Sequence, residues 1–331
     1  MVYFFVFLII VILILTNAIT DAPNAISTLV GTKVMPFQKA ARLSAIFNLI
    51  GILVMSFTNI SVANCISSMV NFNDGILGIV ALGSAMISVI LFSLIALKFG
   101  IPTSETHGLV AGLTGSSIAI YGLKSINILE WKNVAIGLVW SIIGTYVISI
   151  IITKIVMPYL NKIKNYKIKS YQLLGCLGMS FMHGAQDGQK FIGVLIIFIS
   201  LLNKTKIPNI INPLDYKEII IFTAIIMAIG VSIGGKKIVE NIGTEMAKLN
   251  NKQALLTDIA TVITLFIASL TGLPVSTTHA KTISIVGTSK ACNIQTNKKV
   301  VNNIIKAWVW TFPICGLIAY ILTTILKLVI L

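Results

Sequence analysis

Long apolar runs separated by short polar connectors constrain the fold of this chain more than any other feature of its sequence. Hydrophobic residues make up 56% of its 331 positions and charged residues only 11%, whereas a soluble domain has about 25% charged residues. A helix needs roughly 20 apolar residues to cross a bilayer. The runs therefore predict an all-α polytopic protein of the cell membrane with about 10–12 membrane segments, and they argue against a nucleic-acid-binding domain.

The positive charges indicate how the chain is divided and oriented. The net charge is +15, which is typical of lysine-rich cytoplasmic loops under the positive-inside rule. Five lysines fall within residues 154–169, and this segment is predicted to be a central cytoplasmic loop. We expect a first repeat at residues 1–157, a basic linker at 158–172 and a second repeat at 173–331.

Two polar stretches interrupt sequence that otherwise predicts membrane helices. Residues 16–32 contain Asp21 and Asn24, and residues 179–194 contain a histidine, an aspartate and a lysine within eight positions. A charged side chain at the centre of a bilayer costs about 2.5–3.5 kcal/mol on insertion scales. Such residues usually mark the path of a substrate or an ion.

An internal repeat relates the two ends of the chain. The sequence GIPTSETH at residues 100–107 matches GLPVSTTH at 272–279, and the Val-Trp-Ser of 139–141 matches the Val-Trp-Thr of 309–311. These pairs and the two aspartate-containing stretches recur in the same order at nearly constant separation. The pattern indicates a duplication, and paired interrupted segments in two similar halves are typical of secondary transporters.

The repeated G-x-P-x-S-x-T-H motif predicts a helix that begins within the membrane. Glycine and proline break the preceding helix, and a serine or threonine after the proline can cap the next one. The amino-terminal end of a helix binds anions such as phosphate or sulfate. A single motif would fit serine and threonine residues that merely satisfy backbone groups freed by proline, but two copies favour a binding site. The candidate anion ligands are the hydroxyls of Ser104, Thr106, Ser276, Thr277 and Thr278, with Thr103 in support.

The acidic residues of the polar stretches are candidate ligands for a coupling ion. Asp21 and Asn24 lie three residues apart and therefore share a helix face, where a carboxylate and an amide oxygen suit Na⁺ or a bound proton. The alternative is a carboxylate that only caps a broken helix. In the second stretch Lys190 follows Asp187 by three residues, where it pairs with the aspartate, takes the place of a coupling sodium, or extends to an interface.

Glu105 needs an explanation because a permanent negative charge in the anion loop would repel the substrate. It must pair with Lys190 or Lys281, be protonated, or turn away. The three histidines of the chain, His107, His183 and His279, all fall in the polar motifs, where we expect them to brace the broken backbone. Asp258 is interpreted as a residue at the boundary of a span.

These motifs resemble the inorganic phosphate transporter (PiT) family. The family's duplicated signature, G-A-N-D-x-x-N-A, is similar to ITDAPNA at residues 19–25 and to GAQDGQK at 184–190. Its P-x-S-x-T-H elements are similar to residues 102–107 and 274–279. The similarity extends over nearly the whole chain.

The resemblance implies two inverted repeats with broken helices and re-entrant hairpins. It implies a homodimeric, non-enzymatic protein that imports orthophosphate with Na⁺ or H⁺ by elevator-like alternating access and needs no organic cofactor. By position, Asp21, Asn24 and Asp187 become phosphate or ion ligands, with Na⁺ as the candidate metal, and the loop hydroxyls hold the anion. Gln189 joins the phosphate ligands, while Lys190 and Glu105 join the cation-coupling groups.

The sequence departs from the family pattern at several of these positions. Thr20 and Gln186 stand where the signature has its first asparagine, Lys190 stands where it has its last, and Glu105 occupies the position matched by Thr277. We hypothesise that Lys190 replaces one cation site, so that coupling uses fewer sodium ions or uses protons.

Two other functions compete with phosphate symport. A helix-end site also fits sulfate, but sulfate has no proton to donate at neutral pH, so carboxylates beside the anion favour hydrogen phosphate. An intramembrane hydrolase would use Ser104 with His107, or Ser276 with His279, as nucleophile and base. The duplication argues against the hydrolase, because alternating access needs two matched halves and hydrolysis does not.

Overall fold

The structure is a computed structural model that describes residues 1–72 and 75–330. Within these residues the chain is helical apart from its connecting segments, and a single isolated antiparallel bridge joins Val70 and Ile126. Eight of the described helices are long and apolar enough to cross a membrane. The prediction of an all-α polytopic membrane protein is therefore confirmed.

The described residues of the first half form six helices. They are α1 (Val2–Gly31), α2 (Phe37–Thr58), α3 (Ser61–Ser67), α4 (Ile76–Phe99), α5 (Glu105–Tyr121) and α6 (Ile128–Leu160). The polar stretch around Asp21 was expected to follow the first apolar run, and it instead continues the same helix through Pro23. Thus the first candidate ion ligands lie within a single long membrane helix.

The second half contributes a similar series. Its helices are α7 (Asn165–Asn203), α8 (Lys217–Ile233), α9 (Lys236–Glu240), α10 (Asn251–Leu270), α11 (Thr277–Ala291) and α12 (Lys298–Ile330). A π-helical turn at Gly184–Gly188 lies in the middle of α7 and carries Asp187. π-Turns inside α-helices occur frequently at functional sites.

The basic segment between the halves is shorter than a loop over residues 154–169 would be. Lys154 lies within α6, and only residues 161–164 separate α6 from α7. The predicted linker 158–172 therefore falls mainly in the ends of two helices. A lysine has good helix propensity, so a lysine-rich segment next to a span can extend the helix without forming a loop.

Both copies of the G-x-P-x-S-x-T-H motif break a helix and start a new one. Gly100 ends α4 with a φ angle of 66°, and Gly272 ends the turn after α10 with a φ angle of 70°. Positive φ angles of this size favour glycine. After a short extended segment, Ser104 and Ser276 cap α5 and α11 by accepting a hydrogen bond from the backbone N–H three residues on, at 3.3 Å in both cases. The local prediction from glycine, proline and serine is confirmed here.

The helices of the two halves pack in corresponding pairs. Helix α1 packs on α4 as α7 packs on α10, and α2 packs on α8. The broken helices cross between the halves, since α5 packs on α12 and α11 packs on α6. This arrangement brings the capped ends of α5 and α11 towards the same interior region.

Candidate functional site

The two broken segments meet at their helix starts. The hydroxyl of Thr106, in the first turn of α5, donates a hydrogen bond of 3.1 Å to the carbonyl oxygen of Val275, just before α11. The rings of His107 and His279 lie edge to face with their centroids 4.7 Å apart. The predicted convergence of two helix ends is therefore present in the structure, and the side chains around it are buried.

The first acidic cluster joins α1 to α11. The hydroxyl of Thr278 donates to Asp21 Oδ1 at 2.6 Å and accepts a hydrogen bond from Asn24 Nδ2 at 2.8 Å. Asn24 Nδ2 also lies 3.2 Å from Asp21 Oδ1. Since Asp21 and Asn24 are one helical turn apart on α1, a single threonine from the opposite half can contact both.

The second acidic cluster joins α7 to both broken segments. Lys190 Nζ lies 2.6 Å from Asp187 Oδ1, 2.6 Å from Thr106 Oγ1 and 2.7 Å from the carbonyl oxygen of Val275. Thr277 donates from its hydroxyl to Asp187 Oδ2 at 3.3 Å. Of the alternatives for Lys190, the structure therefore shows pairing with Asp187 and not extension to an interface.

His183 supports the second cluster from within α7. Its Nε2 lies 3.1 Å from Asp187 Oδ2, and its Nδ1 lies 2.7 Å from Asn48 Nδ2 on α2. The amide nitrogen of Asn48 is a donor, so Nδ1 is the acceptor of that bond and the proton of a neutral ring is on Nε2. The observed ring contacts of His183 are therefore with the side chains of Asn48 and Asp187 and not with the broken backbone that it was expected to brace, and they position the Asp187 carboxylate.

Glu105 faces hydroxyl groups and not an ammonium group. Its Oε1 accepts hydrogen bonds from Ser93 and from Thr20, the latter at 3.1 Å. Its Oε2 is buried and has no hydrogen-bond partner within the described part of the chain. Of the three alternatives for Glu105, the ion pair with Lys190 or Lys281 is absent among the described residues, because those lysines pair with Asp187 and Asp258.

Three buried side-chain oxygens have no hydrogen-bond partner among the described residues. They are Asn17 Oδ1 and Asn24 Oδ1 on α1, and Oε2 of Glu105, whose Oε1 accepts from Thr20 of α1. One ligand atom from each of Asp21, His183 and Asp187 lies within 4.8 Å of the other two. Buried acceptor atoms are normally paired, so Asp21 with the free amide oxygen of Asn24 has the chemistry of a site for a cation or a proton.

Gln189 has partners away from the two aspartates. It donates to the carbonyl oxygen of Asn59 at 2.8 Å and accepts from the backbone N–H of Val62 at 3.2 Å, so its amide braces the segment around α3. These bonds use one of its two N–H donors, and its assignment as a phosphate ligand stays a prediction. Thr103 is buried in the extended segment before α5.

The serine and histidine side chains do not form a nucleophile and base pair among the described residues. Ser104 and Ser276 bond to the backbone N–H groups of His107 and His279, and both ring nitrogens of His279 lack a partner. Nucleophilic catalysis needs a hydrogen bond between the nucleophile and its base. The geometry therefore gives the hydrolase hypothesis no support.

A buried ion pair joins α10 to α11, and the sequence pattern does not predict it. Asp258, interpreted as a span-boundary residue, is fully buried on α10 and pairs with Lys281 of α11. Thr28 of α1 donates to Asp258 Oδ1 at 2.8 Å and accepts from Lys281 Nζ at 3.0 Å. That interpretation is wrong, because a lysine inside the membrane needs a carboxylate partner and Asp258 supplies it.

Comparison with known proteins identifies the family. The sequence profile described as the phosphate transporter family matches the chain twice, at residues 17–170 and 158–319. The chain belongs to the phosphate transporter family. The first broken segment and its matched copy each fall within one of the two matched regions.

Relatives of this phosphate transporter family member cover almost all of its length. A protein of Rhizobium meliloti (strain 1021), named a probable low-affinity inorganic phosphate transporter, is 30% identical over 92% of this chain and 90% of its own. A Bacillus subtilis (strain 168) protein of the same name is 29% identical over 92% of each chain. A solved structure titled the sodium-dependent phosphate transporter has the same fold, with a TM-score of 0.86, 20% identity and 99% coverage of both chains.

Proposed function

We propose that this chain imports inorganic phosphate by symport with a cation and binds the anion between the capped starts of α5 and α11. The observation that supports this most strongly is the meeting of two helix amino termini beside two buried carboxylates. Helix starts offer backbone N–H groups and a partial positive charge to an anion. Ser104, Thr106, Ser276, Thr277 and Thr278 add hydroxyl donors there.

Competition for one proton gives a physical basis for coupling. The single hydroxyl proton of Thr278 is donated to Asp21, so it is not available to a phosphate oxygen. A cation bound at Asp21 and Asn24 would neutralise the carboxylate and compete for its lone pairs. The hydroxyl is then free to turn towards phosphate, so binding of the cation favours binding of the anion, and by linkage the reverse holds.

The buried oxygens favour Na⁺ as the coupling cation, with H⁺ as the alternative. Carboxylate and amide oxygens at Asp21 and Asn24 are ligands that hard cations accept, and broken membrane helices supply such sites in transporters. The likeness to a protein titled the sodium-dependent phosphate transporter agrees with this choice. Asp21, Asp187 and Glu105 could each instead carry a coupling proton.

The anion is expected to be hydrogen phosphate and not sulfate. Both fit a helix-end site by charge and tetrahedral shape, but only hydrogen phosphate has a proton to donate. Asp21 and Asp187 are acceptors at the site, and an unprotonated oxyanion beside them gains no hydrogen bond and is repelled. Discrimination of this kind, by a donor that one ligand lacks, is typically strong.

The mechanism we propose for the whole cycle is alternating access of the elevator type in a homodimer. The corresponding packing of the two halves supports two related inward and outward states, and the double match of the family profile supports the underlying duplication. Inverted repeats of this kind are a common basis for alternating access. The basic turn at residues 161–164 is proposed to face the cytoplasm.

Radiolabelled phosphate uptake into proteoliposomes that contain the purified protein tests this function. Inward Na⁺ and H⁺ gradients are imposed separately, with excess unlabelled sulfate as a competitor. We expect uptake driven by one gradient and unaffected by sulfate. Absence of uptake under both gradients would contradict symport, and loss of uptake in sulfate would contradict the choice of phosphate.

A further inference from the structure

The ammonium group of Lys190 is enclosed by oxygen atoms from three parts of the fold. A carboxylate oxygen of Asp187, the hydroxyl of Thr106 and the carbonyl of Val275 each lie 2.6–2.7 Å from Nζ. The side chain is only 3% exposed. An ammonium has three N–H donors and no acceptor, so all of its hydrogen-bonding capacity is used in this cage.

The cage has the composition of a sodium site. Carboxylate, hydroxyl and backbone carbonyl oxygens at the ends of broken helices are the ligands that transporters use for Na⁺. Here a covalently attached cation occupies the position where such an ion would bind. Because Lys190 is held on α7 by its own backbone, its charge cannot be released on either side of the membrane.

The first half of the chain has a matched cluster without the lysine. Thr278 and Thr106 occupy the same position in the two P-x-S-x-T-H motifs, and each contacts one cluster, Thr278 at Asp21 and Thr106 at Lys190. Asn24 stands where the second half has Lys190. Asn24 is neutral, and its buried Oδ1 has no partner among the described residues.

The difference between the clusters assigns them different roles. At Asp21 the amide oxygen of Asn24 has no hydrogen-bond partner among the described residues, and it remains available to an exchangeable cation. At Asp187, Lys190 lies against Oδ1, and Thr277 and His183 lie within 3.3 Å of Oδ2. The Asp187 carboxylate is therefore already paired with a cation, whereas Asp21 has no ion pair within the described part of the chain.

We propose that Lys190 is a tethered cation that permanently fills one of two matched cation sites. Of the two matched sites, only the one at the Asp21 cluster then binds an exchangeable cation. The chain therefore couples each phosphate to one exchangeable cation fewer than a chain with both sites open. The consequence for transport rests on the proposed phosphate symport. The occupancy of the cage by Lys190 does not, because a cation-binding measurement tests it directly.

Equilibrium binding of ²²Na⁺ to the purified protein tests the occupancy without any transport. Lys190→Asn places at this position the residue found at the matched position in the first half, and Lys190→Met is the control that removes the charge without adding an oxygen ligand. We expect Lys190→Asn to bind one more Na⁺ per chain than the unmodified protein, and Lys190→Met to gain none. Equal binding by the Asn variant and the unmodified protein would overturn the proposal.

The reciprocal variant covers the case in which Lys190→Asn does not fold. Asn24→Lys places a second tethered cation beside Asp21, and we expect it to abolish the cation dependence of phosphate binding. Retained dependence in this variant would contradict the assignment of the exchangeable cation to the Asp21 cluster. Size-exclusion chromatography in detergent identifies which variants are folded.

The phosphate gradient at which net flux is zero measures how many cations are coupled to each phosphate in Lys190→Asn and in the unmodified protein. With the membrane potential clamped at zero, each additional coupled cation raises the accumulation ratio supported by a tenfold Na⁺ gradient by about tenfold. We expect this increase for Lys190→Asn relative to the unmodified protein. If neither protein transports phosphate, the symport hypothesis fails, while the ²²Na⁺ measurement still decides the role of Lys190.

Discussion

The hydroxyl of Thr278 connects the candidate anion site to the Asp21 cluster, and its removal should uncouple them. In Thr278→Val the shape is kept, but phosphate loses a ligand and the cation no longer competes with a hydroxyl for Asp21. A hydrogen bond to a charged group contributes about 1.5–3 kcal/mol, so we expect the half-saturating concentration of phosphate to rise by roughly 10- to 100-fold and that of the coupling cation not to rise. Initial rates of uptake into proteoliposomes measure both.

Thr282 provides a matched control for that variant. It lies one turn further along α11 and is buried, and its hydroxyl has no hydrogen-bond partner in residues 1–72 and 75–330. Thr282→Val therefore removes no observed interaction, and we expect near-normal uptake. If Thr278→Val and Thr282→Val behaved alike, the link between the hydroxyl of Thr278 and coupling would be wrong.

The buried pair of Asp258 and Lys281 should contribute to stability in an asymmetric way. Lys281→Met leaves Asp258 as an unpaired charge, and breaking a buried pair by removing one partner costs about 3–5 kcal/mol. Replacing both residues, as in Asp258→Leu with Lys281→Met, removes both charges and should restore much of the lost stability. Thermal unfolding in detergent, followed by tryptophan fluorescence, measures the difference.

The unfolding temperatures of the single and double variants show whether the unpaired charge causes the loss of stability. We expect the double variant to unfold at a higher temperature than Lys281→Met alone. A double variant less stable than the single one would show that Thr28, which bonds to both charged groups, depends on them for its own hydrogen bonds.

At the scale of residues, the sequence predicts partners that are close along the chain better than partners that are distant. Asp187 and Lys190 are three residues apart on one helix, so their pairing follows from helical geometry. Asp258 and Lys281 lie on different helices, and only the tertiary fold brings them together. The partners of Gln189 could not be predicted for the same reason. Gln189 lies two residues from Asp187, but its amide bonds to Asn59 and Val62, which are distant in sequence.

At the scale of elements, glycines on α7 determine how closely that helix approaches α2. A Cβ atom on Gly184 would lie 2.1 Å from the carbonyl oxygen of Asn48, so Gly184→Ala forces the helices apart. Overpacking of this kind typically costs about 1–3 kcal/mol. We expect a lower unfolding temperature and reduced uptake, because Asn48 also holds His183.

Gly178 on the same helix is the control for this prediction. A Cβ there would meet only a side-chain carbon of Val262 at 3.4 Å, which is ordinary contact. Gly178→Ala should be neutral or slightly stabilising, since alanine has a better helix propensity by about 1 kcal/mol. If Gly178→Ala and Gly184→Ala lost equal stability, the close contact between α7 and α2 would not be the cause of the loss.

The starts of α5 and α11 could be predicted from sequence because the signals for them are local. Glycine, proline and a capping serine act within a few residues, and the helices begin where these signals place them. Pro23 gave the opposite result, since α1 continues through it. Proline has no backbone N–H, so the carbonyl of Ile19 lacks its usual helical hydrogen bond to residue 23. That carbonyl lies against Gly235, and a residue distant in sequence therefore shields it.

At the scale of the whole molecule, the crossed packing of the broken helices makes the two halves interdependent. Helix α5 packs on α12 and α11 packs on α6, and a Cβ on Gly115 would lie 2.1 Å from the carbonyl oxygen of Gly316. Each half expressed alone leaves one such surface without its partner. We therefore expect either half alone to be unstable and degraded in cells.

Cutting the chain between the halves should be tolerated if the halves are present together. The turn at residues 161–164 is short and joins two helix ends at the surface, where breaks in the chain are usually accepted. Co-expressed fragments of residues 1–162 and 163–331 should co-purify and take up phosphate. Co-purification without uptake, or failure to associate, would contradict the prediction that packing, and not the turn, holds the halves together.

The overall architecture could be anticipated from hydropathy and the repeat, but the crossing of the halves could not. Apolar runs show which segments enter the membrane, and they do not show which of these apolar surfaces contact one another. Contacts such as that between Gly115 and Gly316 depend on small residues far apart in the chain. The repeat predicts two related units without predicting that each completes the other.

The same crossing has a consequence for biosynthesis. Helix α12 leaves the ribosome only after residues 122–297 have followed α5, so α5 is made long before its packing partner exists. During that interval the newly inserted α5, with its buried glutamate and histidine, has only α4 and neighbouring elements of the first half to cover it. A cell that makes this protein must therefore shield this polar membrane hairpin from lipid and from proteases until α12 is inserted.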